Sequence, residues 1–293
     1  MEQSEQMEQS AKPAAVVSPT QAIMPSPTSG MGMTTSSHIF ALGRITPRFP
    51  SLAVEKEFAQ VTGRAETTGL TDQQALQAVL SQRPNRYLVR RLCWVLTIEG
   101  QETYILQPRD PVDFDLLVEA LRPTPSPMDV DVVIGVRGPI APPELCNGLM
   151  IPLVAFDQIY SFDRDSLIGS IPRPETIPAE QEEQFRSAAG ELFDRIMQVA
   201  DNAGATDKDR ALNYLAVRYP AIYAMAADAF GRNESLTAVT VRPSSLSGAR
   251  NIVDVIFSYT NRATDVTEKF FVRVDVTEEF PFLVTKMSPT FDR

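Results

Sequence analysis

The chain is poor in the residues that do most protein chemistry: 293 residues hold one histidine, two cysteines and one tryptophan. A single imidazole excludes a His-rich metal centre and leaves one candidate base for a Ser or Cys nucleophile. Neither Cys-x-x-Cys nor His-x-x-x-His occurs, so no spacing suggests zinc. No run approaches the ~18–20 apolar residues that cross a bilayer as a helix. The opening Met1-Glu-Gln-Ser-Glu-Gln lacks both the basic and the apolar region of a secretory leader. Positive charge is short as well: Lys+Arg 27 against Asp+Glu 37 leaves a net charge of −10. Nucleic acid and anionic membrane surfaces, both polyanions, are disfavoured partners for such a chain.

What is present suffices for folding. With 43% hydrophobic and 22% charged residues the chain can bury one or two cores, and 23 prolines imply many segment breaks. Residues 1–37 carry prolines and Ser/Thr clusters without helical or strand period and are expected to be a disordered lead. Ordered structure is expected over 38–172 as an N-terminal α+β part and over 173–293 as a helical pair plus antiparallel sheet. The Pro-rich stretch 171–178 is the break between them.

Local signals place the elements. His38-Ile-Phe-Ala-Leu-Gly43 reads as a short strand ending at its glycine. Ser51 and Thr71 are N-caps, the second with Gln74 in capping-box spacing. Tyr87–Ile98 and Glu102–Gln107 read as a hairpin, Asp110-Pro111 opens a helix to Leu121, and 129–136 and 149–156 are strands. Further on, Glu180–Asn202 has helical period, Thr206 with Asp209 starts a second helix that Pro220 breaks, and strand runs follow from Leu236. Lys269–Val276 alternates cleanly, with Phe270, Val272, Val274 and Val276 on one face.

Few groups stand out as sites. His38 borders the lead segment and reads as a strand-edge residue. Cys93 and Cys146 lie in apolar or Pro-rich contexts and read as buried free thiols of a reducing cytoplasm, a disulfide being the other possibility. Asp157, Asp163 and Asp165 follow a strand, where carboxylates either cap a helix or bind a cation. Arg44, Arg48, Arg83, Arg86, Arg90 and Arg91 are basic groups in an acidic chain, fit for ion pairs or for an anionic ligand. Arg210 and Asn213 share one helical face and suit capping or docking between the two parts. Val133-Ile-Gly-Val136 followed by Arg-Gly lacks the glycine spacing of a nucleotide fingerprint.

Asp209-Arg-Ala-Leu-Asn-Tyr-Leu-Ala216, Asp254-Val-Ile-Phe257 and the run from Phe271 to Phe282 resemble the C-terminal region of the PatG cyanobactin maturation protease family. Phe40-Ala-Leu-Gly43, Leu92–Glu99 and Tyr104-Ile-Leu-Gln-Pro108 extend the resemblance upstream, so that it spans nearly all of 38–290. In that family the matching region follows a subtilisin-like protease and is itself a domain of unknown function. No nucleophile motif or histidine partner of the protease falls on this chain, so its activity is not carried over.

The resulting expectation is a cytoplasmic, non-catalytic accessory protein of peptide maturation that binds a protein or peptide partner, with self-association as a further option. No cofactor, metal, nucleic acid or membrane is expected. Arg83, Arg86, Arg90, Arg91, Asp163, Asp165, Arg210 and Asn213 are the candidate partner-binding residues. The competing expectation is an enzyme of unfamiliar type using an Arg/Asp-lined crevice between the two parts.

Overall fold

A computed structural model describes residues 37–63, 70–173 and 178–290. Apart from Ser37, the lead segment expected over 1–37 lies outside the described residues, as do residues 174–177 of the expected linker.

The N-terminal half is a five-stranded closed barrel ordered β1-β2-β3-β5-β4. It comprises β1 (His38–Arg48), β2 (Cys93–Ile98), β3 (Gln101–Pro108), β4 (Asp129–Ile140) and β5 (Pro152–Asp163). Neighbouring strands run antiparallel except β3 and β5, which pair in parallel and close the cylinder. Between β1 and β2 lie α1 (Leu52–Thr62), α2 (Asp72–Leu80) and the single turn α3 (Arg86–Val89); α4 (Phe114–Ala120) precedes β4. The caps are where the sequence puts them. Ser51 accepts from the Val54 N–H, and Thr71 and Gln74 form a reciprocal capping box.

Several strand limits differ from expectation. The first strand does not stop at Gly43 but runs to Arg48, its residues 44–48 pairing with β2; the glycine serves close approach instead, since a Cβ there would stand 2.6 Å from the Thr97 carbonyl oxygen. The start of Tyr87–Ile98 is helical, and the strand begins at Cys93. The strand expected over 149–156 begins at Pro152 and continues to Asp163, so Asp157 lies within it rather than after it.

Inward-facing residues of all five strands, among them Ala41, Trp94, Leu106, Val133 and Phe156, join the apolar faces of α1–α4 in one core. Two outer patches are covered separately. On β1 and β4, Phe40, Leu42, Val132 and Ile134 meet Met197, Tyr214 and Val217 from the C-terminal helices. Over β2 and β3, the loop 141–151 folds back so that Leu145, Leu149 and Ile151 cover Cys93, Val95 and Ile105. That fold-back corrects the expectation of free thiols: Cys93 and Cys146 form a disulfide with Cα atoms 5.7 Å apart. The pairing was hidden because it joins an outward strand residue to a loop separated from it by 53 positions, and it removes the thiol-based argument for a reducing compartment.

The C-terminal half follows the expected order of helices, then meander. It holds α5 (Arg164–Ser170), α6 (Glu182–Val199), α7 (Asp207–Arg218) and α8 (Ala221–Gly231). Pro220 splits the second expected helix into α7 and α8. The strands β6 (Glu234–Pro243), β7 (Ile252–Asn261), β8 (Thr267–Asp275) and β9 (Phe282–Thr290) form one antiparallel sheet in sequence order. Val253, Val255, Phe257 and Tyr259 of β7, with Val272 and Val274 of β8, pack under the helices. The opposite face mixes apolar and charged groups: Ile256 stands opposite Phe271, and Asp254 receives Arg273 at 2.8 Å and faces Arg242 at 3.9 Å.

Candidate functional site

Three basic groups of the N-terminal half, Arg86, Arg90 and Arg91, tie the region of α3 to α1 and α4. Arg83, Arg86, Arg90 and Arg91 are all exposed around α3. Arg86 pairs with Asp115, Arg91 pairs with Glu57, and the Arg90 guanidinium lies 5.9 Å from the centroid of the Phe114 ring. Exposed pairs of this kind contribute at most about 1 kcal/mol each. Arg44 donates to the carbonyls of Ser126 and Pro127 at 2.9 Å, and Arg48 pairs with Glu102. Asp163 caps α5, accepting from the Ser166 N–H, while Asp165 pairs with Arg164 at 3.1 Å. The three acidic residues that looked like one cluster thus serve separate places.

Arg210 and Asn213 meet only in the sense that both tie α7 to its surroundings. Arg210 is fully buried and donates to the carbonyls of Val276 (2.6 Å), Glu278 and Glu279 (3.2 Å), with Asp207 at 3.5 Å. Burying a charge costs several kcal/mol unless it is paired, and these acceptors offset that cost while fixing the β8–β9 connection. Asn213 donates to the Phe40 carbonyl at 2.8 Å across the seam between the halves. The same seam carries backbone bonds from Phe40 N–H to Gly204 (3.2 Å) and from Leu42 N–H to Asn202 (2.8 Å). Gly204 sits at φ +59°, and a Cβ there would fall 2.0 Å from the Phe40 oxygen.

Beside the seam, Arg109 reaches both Asp157 (3.0 Å) and Glu279 (3.4 Å). Burial, and the hydrogen bond and charge of Asp157, push the Glu279 carboxyl up to about 7 against the pull of Arg109 and Arg210. Glu279 Oε1 is buried without a donor, a position that a proton held between the two carboxyls would satisfy. His38 is not at a free edge. It opens β1 opposite Val136, half-buried, and burial and Arg210 lower its pKa.

A crevice of about 770 Å³ lies among α5, α6, α8 and β6. Its floor is apolar, built by Ile168, Leu192, Ala226, Leu236 and the Tyr259 ring, and its rim is charged. On the rim, Arg164 grips Asp194 through two bonds (3.0 and 2.6 Å) and donates to the Gly190 carbonyl at 3.4 Å. Arg262 lies over the Phe230 ring, 5.3 Å from its centroid, and its Nε donates to Ser235 Oγ at 2.5 Å. Glu234 is buried and accepts from Arg232 at 3.3 and 3.0 Å. At the floor Tyr259 is 1% exposed, stands edge-on to Phe270, and has a buried hydroxyl with no hydrogen-bond partner among the described residues. Burial raises its pKa well above the usual tyrosine value. An orphaned buried hydroxyl costs on the order of 1–3 kcal/mol, so a group that satisfied it would be bound with gain.

Sequence reasoning passed over Arg195, Arg262 and Tyr259, which come from one helix, one turn and one strand. The available signal was Tyr259, which ends the inward stripe Val253, Val255, Phe257 with a polar tip. Among the described residues no group of three His, Cys, Asp or Glu is placed to hold a metal ion, and no helix is long and apolar enough to cross a membrane.

One comparison with known proteins falls on this same half. A family model described as PatG C-terminal matches residues 179–289, the stretch that supplies α6, α8, β6 and β7 to the crevice. No curated protein matches the chain. A solved structure titled "PatG Domain of Unknown Function" superposes with a TM-score of 0.72 at 21% identity, over 87% of this chain and 99% of that one. At that identity the likeness is one of fold, and it takes in barrel and sheet together. Residues 179–289 are therefore similar to the C-terminal region of PatG, and the chain has the fold of the PatG domain of unknown function.

Proposed function

We propose that this chain is a non-catalytic accessory module of a ribosomal-peptide, cyanobactin-like maturation system, and that it binds a partner enzyme or precursor peptide at the crevice. The carrying observation is the crevice itself: an apolar floor ringed by guanidinium and carboxylate groups, built by α5 together with the segment that the PatG C-terminal family model matches. An apolar floor with a few convergent polar groups is the general form of a ligand-binding site. Its groups suit binding better than covalent chemistry. Ser235 Oγ accepts from Arg262, a donor, where an activated nucleophile would face a base.

Isothermal titration of the purified chain with the precursor peptide and with the maturation protease tests this reading. Saturable binding of one of them, lost on filling the crevice by Ala226→Trp and weakened by the rim change Arg195→Glu, is expected. The rim variant leaves the core untouched, so it stays informative if Ala226→Trp fails to fold. Binding unchanged in Arg195→Glu and in a folded Ala226→Trp, or no binding of either ligand, overturns the proposal. The enzyme reading draws on one group, Glu279 beside Arg109, and predicts turnover that Glu279→Gln abolishes.

A further inference from the structure

We infer that the crevice is selective for acidic peptide segments, a carboxylate being held by the Tyr259 hydroxyl with the Arg262 and Arg195 guanidinium groups while an apolar neighbour rests on Leu236. The inference rests on the peptide-binding reading above and names the chemistry of what is bound.

It follows from which charges in the crevice are already spent. Asp194 and Asp165 are both held by Arg164. Glu234 is neutralised by Arg232, and Arg186 by Glu182 at 2.7 Å. Arg262 uses its Nε on Ser235 and one face on Phe230, and its two Nη groups make no hydrogen bond to the described residues. Among the described residues Arg195 on α6 makes no ion pair, and Glu191 is the one rim carboxylate in the same condition. The unspent groups are thus mainly donors, two guanidinium groups and a hydroxyl against one carboxylate. Tyr259 gives the independent indication: this lining residue, 1% exposed, keeps a buried hydroxyl with no partner among the described residues. A carboxylate is the ligand group that accepts from a phenol and pairs with planar guanidinium at once.

Fluorescence anisotropy with three labelled heptapeptides tests the assignment: Gly-Glu-Leu-Glu-Phe-Glu-Gly and the same sequence with Gln or Lys in place of every Glu. The Glu peptide is expected to bind at least about tenfold more tightly than the Gln peptide, and the Lys peptide more weakly than either. Arg195→Glu should cost the Glu peptide about tenfold, and Tyr259→Phe about threefold. In the same Tyr259→Phe protein the Tm should hold or rise, because an unsatisfied buried hydroxyl has gone. A tyrosine that only fills the core would leave peptide affinity where it was. Equal binding of the Glu and Gln peptides, or affinity unmoved by both substitutions, overturns the acidic selectivity while leaving a peptide site. Failure of all three peptides to bind overturns the peptide-binding reading itself.

Discussion

The two halves of the molecule solve the problem of a sheet's edges in opposite ways. The barrel closes on itself through the parallel β3–β5 pair, and its outer patches are covered by the C-terminal helices on one side and by the loop 141–151 on another. The C-terminal sheet stays open, with β6 and β9 at its edges and helices on one face. Closure removes the unpaired backbone that recruits other chains, whereas an open sheet keeps both edges and the rim between helix and strand. The difference explains why the crevice with an orphaned hydroxyl lies in the second half. One half serves as scaffold, the other offers surface.

This contrast can be broken most sharply in the barrel core. Trp94, 1% exposed, fills the cylinder, and Trp94→Ala should cost about 3–5 kcal/mol in a denaturant melt. Phe271→Ala on the open face of the sheet, where the ring is half-buried under Arg273, should cost only about 1 kcal/mol. Equal costs would mean that the sheet is as tightly built as the barrel. Second in size is the disulfide. It closes a loop of 53 positions, so Cys93→Ser should lower stability by about 2–4 kcal/mol under oxidising conditions. Under dithiothreitol the variant and the parent should melt together; a persisting gap would assign the cost to packing around Cys93.

The smallest effect concerns acidity. Asp131, buried against Ile45 and Ser161 at the barrel wall, is pushed up to about 6, chiefly by burial, and Glu279 at the seam is pushed up to about 7. Both hold their proton more strongly folded than unfolded. Their contribution is complete below about pH 4 and is lost as pH rises through 6 and then 7. His38, lowered by burial, works in the opposite direction below about 6.5. Asp163 and Glu182, lowered by their hydrogen bonds, act only below the ordinary carboxylate range. Between pH 5 and 8 stability should therefore fall by roughly 1 kcal/mol, about 2–4 °C in Tm, allowing for screening at Glu279. Glu279→Gln should flatten the upper part of that profile and Asp131→Asn the lower, separating seam from barrel. A Tm that rises across this range would contradict both assignments.

Local chemistry was legible in the sequence wherever neighbours in the chain are neighbours in space. The caps at Ser51, Thr71 and Thr206 obey short-range hydrogen-bond rules, and the alternation of β8 reports a sheet with one buried face. The meander in strict order needed only short connections. Barrel closure did not announce itself, because the β3–β5 register pairs Ile105 with Leu153 across an intervening helix and strand. The partner of Cys93 and the joint lining of Arg195, Arg262 and Tyr259 were invisible for the same reason. The shared helical face of Arg210 and Asn213 is visible in their spacing, which suits docking; that both are buried is not.

The bond from Asn213 to the Phe40 carbonyl joins residues 173 positions apart, and it has a meaning for the chain as it is made. Phe40 and Leu42 leave the ribosome early, and the helix that covers their outer face leaves last among their neighbours. At about 5–20 residues per second the apolar stripe waits roughly 10–35 s for α7. For that interval it is a natural handhold for a chaperone, and a transcript cut short before α7 would release a barrel that sticks to its own kind. The sheet half, built from sequential neighbours, has no such waiting time. Synthesis therefore exposes the barrel to risk first, and the crevice lining is completed only later, when Tyr259 and Arg262 follow α7 out.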